Sequence, residues 1–140
     1  ETGSVELLNY VASDDYGTLI NPVLTEGQVH GGVVQGIGQA LGEHVAYDAE
    51  SGQLISATFM DYYMPRADLL PQMTVELDGV ATAANPLGVK GSGQAGCIVA
   101  TQTIVNAVVN ALSPLGVEHI EMPLTPERVW HAIRDARSVA

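Results

Sequence analysis

The sequence predicts an α+β fold in which a mainly antiparallel sheet packs against helices. Two segments, 25–41 and 97–112, repeat apolar residues at helical spacing, and a third helix is predicted from Pro126 onward. Short segments of strand composition lie between turn-forming residues, and the early ones are neighbours along the chain. Neighbouring strands joined by turns favour antiparallel pairing.

Four segments are predicted to form strands or strand pairs. Residues 5–11 have moderate strand composition, and residues 44–59 have the pattern of a hairpin with a long loop. Residues 73–77 alternate apolar and polar side chains, as a half-buried strand does, and residues 117–120 form a short strand. The stretch 81–93 is predicted to be a loop.

The first predicted helix is unusual in its glycines. Thr25 and Gln28 have the spacing of a capping box, in which the two side chains satisfy backbone N–H groups at the helix start. A glycine inside a helix costs about 1 kcal/mol relative to alanine. We therefore expect another group to approach the backbone closely at the glycines of this helix, which are Gly27, Gly31, Gly32, Gly36 and Gly38.

The other two helices follow from local patterns. Residues 97–112 give the clearest helix, because their polar side chains fall on one face and the remaining side chains are apolar. The last helix begins at Thr125-Pro126-Glu127, which combines a capping threonine, a proline at the first helical position and an acidic residue in the first turn.

Charge and cysteine content limit the classes of partner. The 140 residues have a net charge of -11, which repels nucleic acid and anionic membrane surfaces, so neither is an expected partner. Uninterrupted apolar runs are short, and the first residues lack the pattern of a signal peptide, so we expect a soluble chain without a membrane span. A single cysteine, Cys97, fits a reducing compartment, and the cytoplasm is predicted, with the periplasm left open.

The low share of charged residues indicates contact with other protein. Charged residues make up 15% of the sequence and apolar residues 46%. Ordinary soluble domains have about 25% charged residues. We therefore expect part of the surface to be covered by another segment or another chain.

A glycine-rich loop in the segment GVKGSGQAGCIVA, residues 88–100, leaves three interpretations open. Gly91-Ser92-Gly93-Gln94-Ala95-Gly96 satisfies the GxGxxG fingerprint of a dinucleotide site. The strand that should lead into such a site is missing, because Pro86 and Gly88 interrupt the segment before it. The alternatives are a loop with no ligand and a loop whose backbone amides and Gln94 point into a cofactor pocket.

Four blocks of sequence favour the cofactor pocket. They are GQVHGGVVQGIGQAL (27–41), FMDYYMPRADLLP (59–71), NPLGVKGSGQAG (85–96) and MPLTPERVW (122–130). Together they resemble the molybdenum hydroxylases, and more narrowly the C-terminal part of the large, molybdopterin-binding subunit of the xanthine dehydrogenase, aldehyde oxidase and carbon monoxide dehydrogenase family. The resemblance covers residues 1–140, which are interpreted as a fragment or split subunit of a larger protein.

The resemblance implies a cofactor and a reaction. The family uses a molybdopterin-type molybdenum cofactor, with iron-sulfur clusters and in many members FAD on partner domains or subunits. It hydroxylates an aldehyde, an N-heterocycle or a related carbon centre with water as the oxygen source. The catalytic base is a glutamate in a GxGE loop, and Gln94 occupies that position here. An amide cannot take a proton near neutral pH, so a chain with Gln94 is expected to bind the cofactor like the family and to hydroxylate poorly. The isolated chain is expected to be inactive, because the resemblance implies that the remaining cofactor contacts lie in upstream segments.

The resemblance also assigns cofactor-binding residues. Gln28 matches a family glutamine that contacts the cofactor, and Gly91, Ser92 and Gly93 form the loop beside it. The capping box remains the alternative role for Gln28. From their local sequence, Asp14 and Asp15 are expected to be turn residues, Lys90 to be exposed or to pair with a phosphate or substrate, and Tyr62 and Tyr63 to belong to the core or a substrate funnel. No residue is predicted to ligate a metal, because the four histidines lack a metal-site spacing.

Two other functions stay open. The first is an assembly or interaction module derived from the same family that catalyses nothing, which the replacement at Gln94 favours. The second is the dinucleotide-binding domain described above. Expected partners of the molybdenum enzyme are the remainder of the molybdopterin subunit, the iron-sulfur and flavin domains or subunits, and a small-molecule substrate.

Overall fold

The computed structural model describes residues 2–139, so Glu1 and Ala140 lie outside the described residues. Its main elements in chain order are strand β1 (Asn9–Asp14), helix α1 (Pro22–Leu41), strand β2 (Gln72–Leu77), helix α2 (Ala95–Leu112) and helix α3 (Pro126–Val139). Short 3₁₀ turns lie at Ala67–Leu69 and Ser113–Leu115. The α+β class is therefore right, with three helices and two strands in the described part.

The prediction of a mainly antiparallel sheet was wrong. Strands β1 and β2 pair in parallel, in a register that aligns Asn9 with Gln72 and Asp14 with Leu77. Helix α1 lies in the long connection between them, and a crossover of this kind allows the second strand to run in the same direction as the first. The partner of β1 is thus distant in sequence, whereas the prediction paired neighbouring segments.

Three of the predicted strands differ from those observed. The first strand is displaced from 5–11 to Asn9–Asp14, where it meets β2. The hairpin expected at 44–59 is reduced to a single antiparallel bridge between Tyr47 and Leu54. Residues 117–120 form no strand, although Val117 and Ile120 are buried in the core as a strand's inner face would be. Apolar content predicted burial correctly here, but burial does not require a paired strand.

Helix α1 begins three residues earlier than predicted, and its cap is Asn21. The Asn21 side-chain oxygen accepts a hydrogen bond from the backbone N–H of Leu24 at 3.1 Å, and Pro22 occupies the first helical position. Thr25 lies within the helix, where its hydroxyl donates to the Asn21 carbonyl. The predicted capping box was therefore wrong, and the side chain of Gln28 is free for another role.

Helices α1 and α2 pack closely because glycines lie where their backbones meet. A Cβ atom on Gly32 would lie 2.9 Å from the backbone nitrogen of Cys97, and one on Gly36 would lie 2.5 Å from Cβ of Ala100. A Cβ on Gly96 would approach the Val29 carbonyl oxygen to 2.5 Å. The expected close approach at the α1 glycines thus occurs at two of them through a neighbouring helix.

Two apolar clusters form the core. The first joins α1, α2 and the inner face of the strands, with Val29, Val33, Ala100 and Ile104 almost completely buried. The second lies beneath α3 and is made of Val108, Val117, Ile120, Leu124 and Val129. The first cluster holds α1 against α2. It therefore fixes the first turns of both helices, which lie beside the glycine loop.

Helix α2 contains no charged residue, and most of its residues are apolar. By length and composition alone, the stretch Ala95–Leu115 could cross a membrane, although the core helix of a soluble protein has the same properties. Only 22% of that stretch is buried within this chain. Much of its uncharged surface is therefore exposed in the described part.

Candidate functional site

The loop before α2 is ordered by Asn85. The Asn85 side-chain oxygen accepts hydrogen bonds from the backbone N–H groups of Leu87 and Val89, at 3.1 and 3.2 Å. Its amide nitrogen donates to the Val89 carbonyl at 2.9 Å. Gly88 has φ +68°, a left-handed conformation that side chains other than glycine rarely adopt. Asn85 and Gly88 together shape the turn that leads into Gly91.

This turn is attached to the segment that follows β1. Thr18 donates its backbone N–H to the Gly88 carbonyl at 3.0 Å, and Lys90 donates to the Tyr16 carbonyl at 2.9 Å. The two hydrogen bonds flank an antiparallel bridge between Gly17 and Val89. The glycine loop therefore starts from a fixed position beside the end of β1.

Asp15 connects three segments of the site. Its carboxylate accepts hydrogen bonds from the Lys90 ammonium and from the backbone N–H groups of Gly17 and Val80, the latter two at 2.8 and 3.0 Å. The bond from Lys90, followed by the two backbone bonds, lowers the pKa of Asp15 to about 2. The prediction of a turn residue was right in part, since Asp15 does bond Gly17, but its ion pair with Lys90 was missed. The ion pair could not be predicted from local sequence, because Asp15 and Lys90 are 75 residues apart.

Gln28 reaches the glycine loop from α1. Its side-chain amide nitrogen donates a hydrogen bond to the carbonyl oxygen of Gly93, 65 residues away in sequence. The bond uses one amide hydrogen and leaves the Gln28 amide oxygen available as an acceptor. The structure thus brings together two residues, Gln28 and Gly93, that the sequence predicted separately to contact one cofactor.

An open cavity of about 450 Å³ lies beside this contact. Gln28, Ser92 and Gly93 line it, and Lys90 supplies a positive charge at its wall. Gly91 and Gln94 are exposed in the same loop but are not among the lining residues. The remaining lining residues come from the end of β1 and the start of α1 and are Tyr16, Thr18, Leu19, Ile20, Asn21, Leu24, Thr25 and Val89.

Space and hydrogen-bond donors remain free around the loop. A Cβ atom on Gly91 or Gly93 would meet nothing within 4 Å, and neither residue has a left-handed φ. Neither glycine is therefore required by crowding or conformation within this chain. At the start of α2, the backbone N–H groups of Ala95 and Gly96 have no hydrogen-bond acceptor among residues 2–139. A helix start with free N–H groups attracts negatively charged groups.

Gln94 is the last residue before α2. It has φ -121° and ψ 7°, and its side chain makes no capping hydrogen bond to the helix. Its carbonyl accepts the N–H groups of Cys97 and Ile98, both at 3.0 Å, so its backbone is fixed while its exposed side chain is free. The Gln94 amide can donate and accept hydrogen bonds but cannot act as a base near neutral pH.

Tyr16 is a cavity residue that the sequence did not single out. It is 3% exposed, and burial, followed by the negative charge of Asp14, raises its pKa to about 12. Its hydroxyl and one Asp14 carboxylate oxygen are buried without a hydrogen-bond partner in the described part of the chain. Tyr16 therefore stays protonated at all ordinary pH values. A lone tyrosine after a strand gives no signal in sequence that its hydroxyl will be unpartnered.

The dinucleotide interpretation does not agree with this geometry. Residues 84–90, all of them described, form turns and one isolated bridge where a nucleotide site needs a buried parallel strand leading into the glycine loop. The parallel strands β1 and β2 end elsewhere, before Asp15 and Asp78.

The fold and site define one part of a cofactor-binding domain. A glycine loop is held against a helix by Gln28, beside an open cavity that Ser92 and Gly93 line. The sequence agrees with this class, since residues 1–71 match the family model described as molybdopterin cofactor-binding domain. The chain belongs to this family, as part of the molybdenum-cofactor-binding subunit of the molybdenum hydroxylases. The resemblance seen in the four sequence blocks is confirmed.

Individual relatives cover nearly all of this chain. It is 43% identical over 136 residues to the nicotine 6-hydroxylase large subunit of Paenarthrobacter nicotinovorans, with 95% of this chain aligned. It is 36% identical over 134 residues to the carbon monoxide dehydrogenase large chain of Hydrogenophaga pseudoflava, with 96% aligned. The chain spans only 16% and 17% of the lengths of these two relatives.

Solved structures share the fold. A Cu,Mo-containing carbon monoxide dehydrogenase superposes with a TM-score of 0.90 at 34% identity, over 96% of this chain and 17% of that one. Quinoline 2-oxidoreductase from Pseudomonas putida 86 superposes equally well, with a TM-score of 0.90 at 38% identity over the same shares of the two chains. The parallel strand pair and the three helices are thus the arrangement found in experimentally solved relatives.

Proposed function

We propose that this chain forms one wall of the active site of a molybdenum hydroxylase, with Gln28, Gly91, Ser92 and Gly93 against the cofactor and Gln94 at the position of the usual base. One observation carries the proposal. The Gln28 side chain bonds the Gly93 carbonyl, which places two separate family motifs on one cavity.

The residues present fit a cofactor that carries oxygen, nitrogen and negative charge. The Gln28 amide oxygen is free to accept a hydrogen bond, and the Ser92 hydroxyl and the N–H groups of Ala95 and Gly96 can donate. Lys90 also lines the cavity, with its ammonium group paired to the Asp15 carboxylate. The open space beside Gly91 and Gly93 permits close approach to the loop backbone.

The chain's own residues bind and orient but supply no strong base. When bound, a molybdenum cofactor supplies two-electron oxidation of carbon with oxygen drawn from water. Gln94 can hold a water or substrate by hydrogen bonds, but it cannot remove a proton. Asp15 is the carboxylate attached to the same loop, and with its pKa at about 2 and Lys90 bonded to it, it is a poor proton acceptor.

The broader activity is proposed from the relatives. Their printed names include enzymes acting on nicotine, carbon monoxide, quinoline and aldehydes, and an aldehyde, an N-heterocycle or a related carbon centre is the proposed substrate class. The proposed partners are the remainder of the molybdopterin subunit and domains or subunits with iron-sulfur clusters and FAD. The proposed location is the cytoplasm.

The first test is metal content. The complex that contains this chain, purified from its native host, should hold about one molybdenum per chain, because a binding site with affinity for one cofactor fills stoichiometrically. Inductively coupled plasma mass spectrometry measures the ratio. A complex that lacks molybdenum in cells that load other molybdenum enzymes would contradict the proposal.

The second test restores the carboxylate. Gln94→Glu should raise turnover of the native complex by about 10² to 10⁴, since this is the usual contribution of a general base. The new activity should fall at acidic pH as the glutamate becomes protonated. Gln53→Glu in an exposed turn adds the same charge away from the loop and is the matched control. Equal rates for the two variants at full molybdenum content would contradict the proposal that a carboxylate at position 94 restores the base.

A non-catalytic assembly module is the second candidate, and the amide at Gln94 favours it. In that case the complex assembles normally but shows no turnover, and Gln94→Glu leaves it inactive. A module that has lost catalysis can keep the cofactor or lose it. The molybdenum content of the inactive complex distinguishes these two cases.

A further inference from the structure

The carboxamide of Gln94 is held in place but not used by its own chain. The Gln94 carbonyl accepts the backbone N–H groups of Cys97 and Ile98, both at 3.0 Å, so the backbone at this position is fixed. The side chain is exposed and makes no capping hydrogen bond to α2. A fixed backbone with a free amide can bind a ligand without a large cost for ordering the loop.

The charges beside Gln94 are already paired. Lys90 is the one charged residue in segment 85–98, and its ammonium bonds the Asp15 carboxylate. Open space flanks Ser92, because a Cβ atom on Gly91 or Gly93 would meet nothing within 4 Å. The side chains of this loop therefore leave an open setting without free charge, which suits a flat, uncharged ligand.

A glutamine and a glutamate at position 94 present different groups to a ligand. The amide offers a C=O acceptor and an NH₂ donor side by side, whereas an ionised carboxylate offers acceptors and a negative charge. The carboxamide of asparagine or glutamine reads a donor and an acceptor that lie next to each other on a heterocycle, as it does on the edge of adenine. Gln94 can therefore recognise such an edge through two parallel hydrogen bonds.

The proposed substrate classes differ in this edge. An aldehyde has an acceptor oxygen and no N–H or O–H donor, so it can use only the NH₂ group of Gln94. A heterocyclic lactam has an N–H directly beside a C=O and can use both groups of the amide. A site that hydrogen-bonds a ligand discriminates against an analogue that leaves one of its polar groups unpaired.

From these observations we infer that Gln94 is a specificity-determining residue that selects N-heterocycles with a lactam edge over ligands that carry only an acceptor, such as aldehydes. This inference rests on the proposed function, which puts position 94 beside the substrate. It narrows the substrate class and gives the amide a role in binding at a position where it cannot act as a base.

Equilibrium binding to the purified native complex, without an electron acceptor, tests the inference. The first probe, 2-quinolone, carries the lactam edge, and N-methyl-2-quinolone keeps the rings and the carbonyl but has no N–H. Isothermal titration calorimetry should show that 2-quinolone binds about tenfold more tightly, because the analogue loses one hydrogen bond and leaves the amide oxygen of Gln94 unpaired. Equal affinities, or no binding of 2-quinolone, would overturn the inference.

Gln94→Met separates the amide from the bulk of the added methyl group. Methionine has a similar size but lacks both hydrogen-bonding groups, so the preference for 2-quinolone should fall from about tenfold to about twofold or less. Gln53→Met, in an exposed turn, is the matched control and should keep the full preference. A preference that persists in Gln94→Met would overturn the inference, since it would arise elsewhere in the site.

Molybdenum content, measured on the same complexes, separates this inference from the proposed function. Full molybdenum with no preference for 2-quinolone in the parent would overturn selection by Gln94 and leave the proposed function standing. A preference that depends on Gln94 in a complex without molybdenum would support selection by Gln94 and contradict the proposed function.

Discussion

The side chain of Gln28 donates a hydrogen bond to the carbonyl oxygen of Gly93, across 65 residues of sequence. This bond joins the first turns of α1 to the loop that precedes α2. Gln94, the next residue, therefore stands at a place set by two structural elements: the loop bonded by Gln28 and the helix packed on α1.

Gln28→Met should loosen the glycine loop. Methionine fills similar space but cannot donate to the Gly93 carbonyl, and a typical hydrogen bond contributes about 1 kcal/mol. Hydrogen exchange at Lys90, Cys97 and Ile98, whose N–H groups bond the Tyr16 and Gln94 carbonyls on either side of the loop, should become up to about fivefold faster, as measured by mass spectrometry. Gln35→Met is the control, because Gln35 is also exposed on α1 and makes no side-chain hydrogen bond among the described residues. Equal exchange in both variants would show that the bond does not hold the loop.

Asp15 should make the site sensitive to acid. Its pKa is about 2 in the folded chain against an ordinary 3.8, so its bonds stabilise the folded state above pH 3.8 and lose that effect as the pH falls toward 2. Asp15→Asn should therefore weaken protection of residues 79–90 most at neutral pH, with the difference from the parent shrinking between pH 4 and pH 2. Hydrogen exchange corrected for its intrinsic pH dependence measures this.

The control for the acid effect is Asp68→Asn. Asp68 pairs with Arg66 at 3.6 Å on the surface, where both side chains are more than two thirds exposed. The substitution removes one exposed negative charge without touching the loop. The hydrogen-exchange protection of residues 79–90 is the quantity compared. If the difference in protection between Asp15→Asn and its parent stayed constant down to pH 2, the result would contradict a role for the Asp15 carboxylate.

Alanine substitution at two glycines of α1 should change the free energy of unfolding in opposite directions. Gly36→Ala places Cβ 2.5 Å from Cβ of Ala100, and overpacking of this kind costs about 1–3 kcal/mol. Gly27→Ala meets nothing within 4 Å and should gain up to about 1 kcal/mol of helix stability. Urea unfolding monitored by circular dichroism compares the two. A Gly27→Ala variant that destabilised the full-length subunit would show that another group occupies the space beside Gly27.

Tyr16→Phe should leave stability unchanged or raise it slightly. The Tyr16 hydroxyl is buried and meets no hydrogen-bond geometry within the described residues, although the Asp14 carboxylate lies near enough to raise its pKa, so removing the hydroxyl costs little and keeps the ring in place. The midpoint of urea unfolding checks this, with Tyr62→Phe as the comparison, because the Tyr62 hydroxyl donates to Glu43. A loss of unfolding free energy larger for Tyr16→Phe than for Tyr62→Phe would show that the Tyr16 hydroxyl does make a stabilising hydrogen bond, to Asp14 or to a group outside the described residues.

Local patterns predicted most of the helices, and long-range contacts decided the rest. The start of α3 followed from Thr125 and Pro126, whose capping chemistry needs only adjacent residues. The start of α1 was misplaced because Asn21 and Thr25 can both cap a helix, and the structure uses Asn21, with Pro22 at the first helical position. The parallel pairing of β1 with β2 could not be predicted from neighbouring residues, because α1 and a long loop separate the two strands.

The sequence by itself determined the class of the fold, the family and the residues of the glycine loop, because these depend on composition, on periodicity and on the identity of side chains in order. Gln94 in place of a carboxylate is also a property of the sequence alone. Only the tertiary structure decided that Gln28 bonds Gly93 instead of capping its own helix, that Lys90 pairs with Asp15, and that one face of α2 is left unpaired. These contacts join positions 65 and 75 residues apart, and chain folding alone brings such positions within hydrogen-bonding distance.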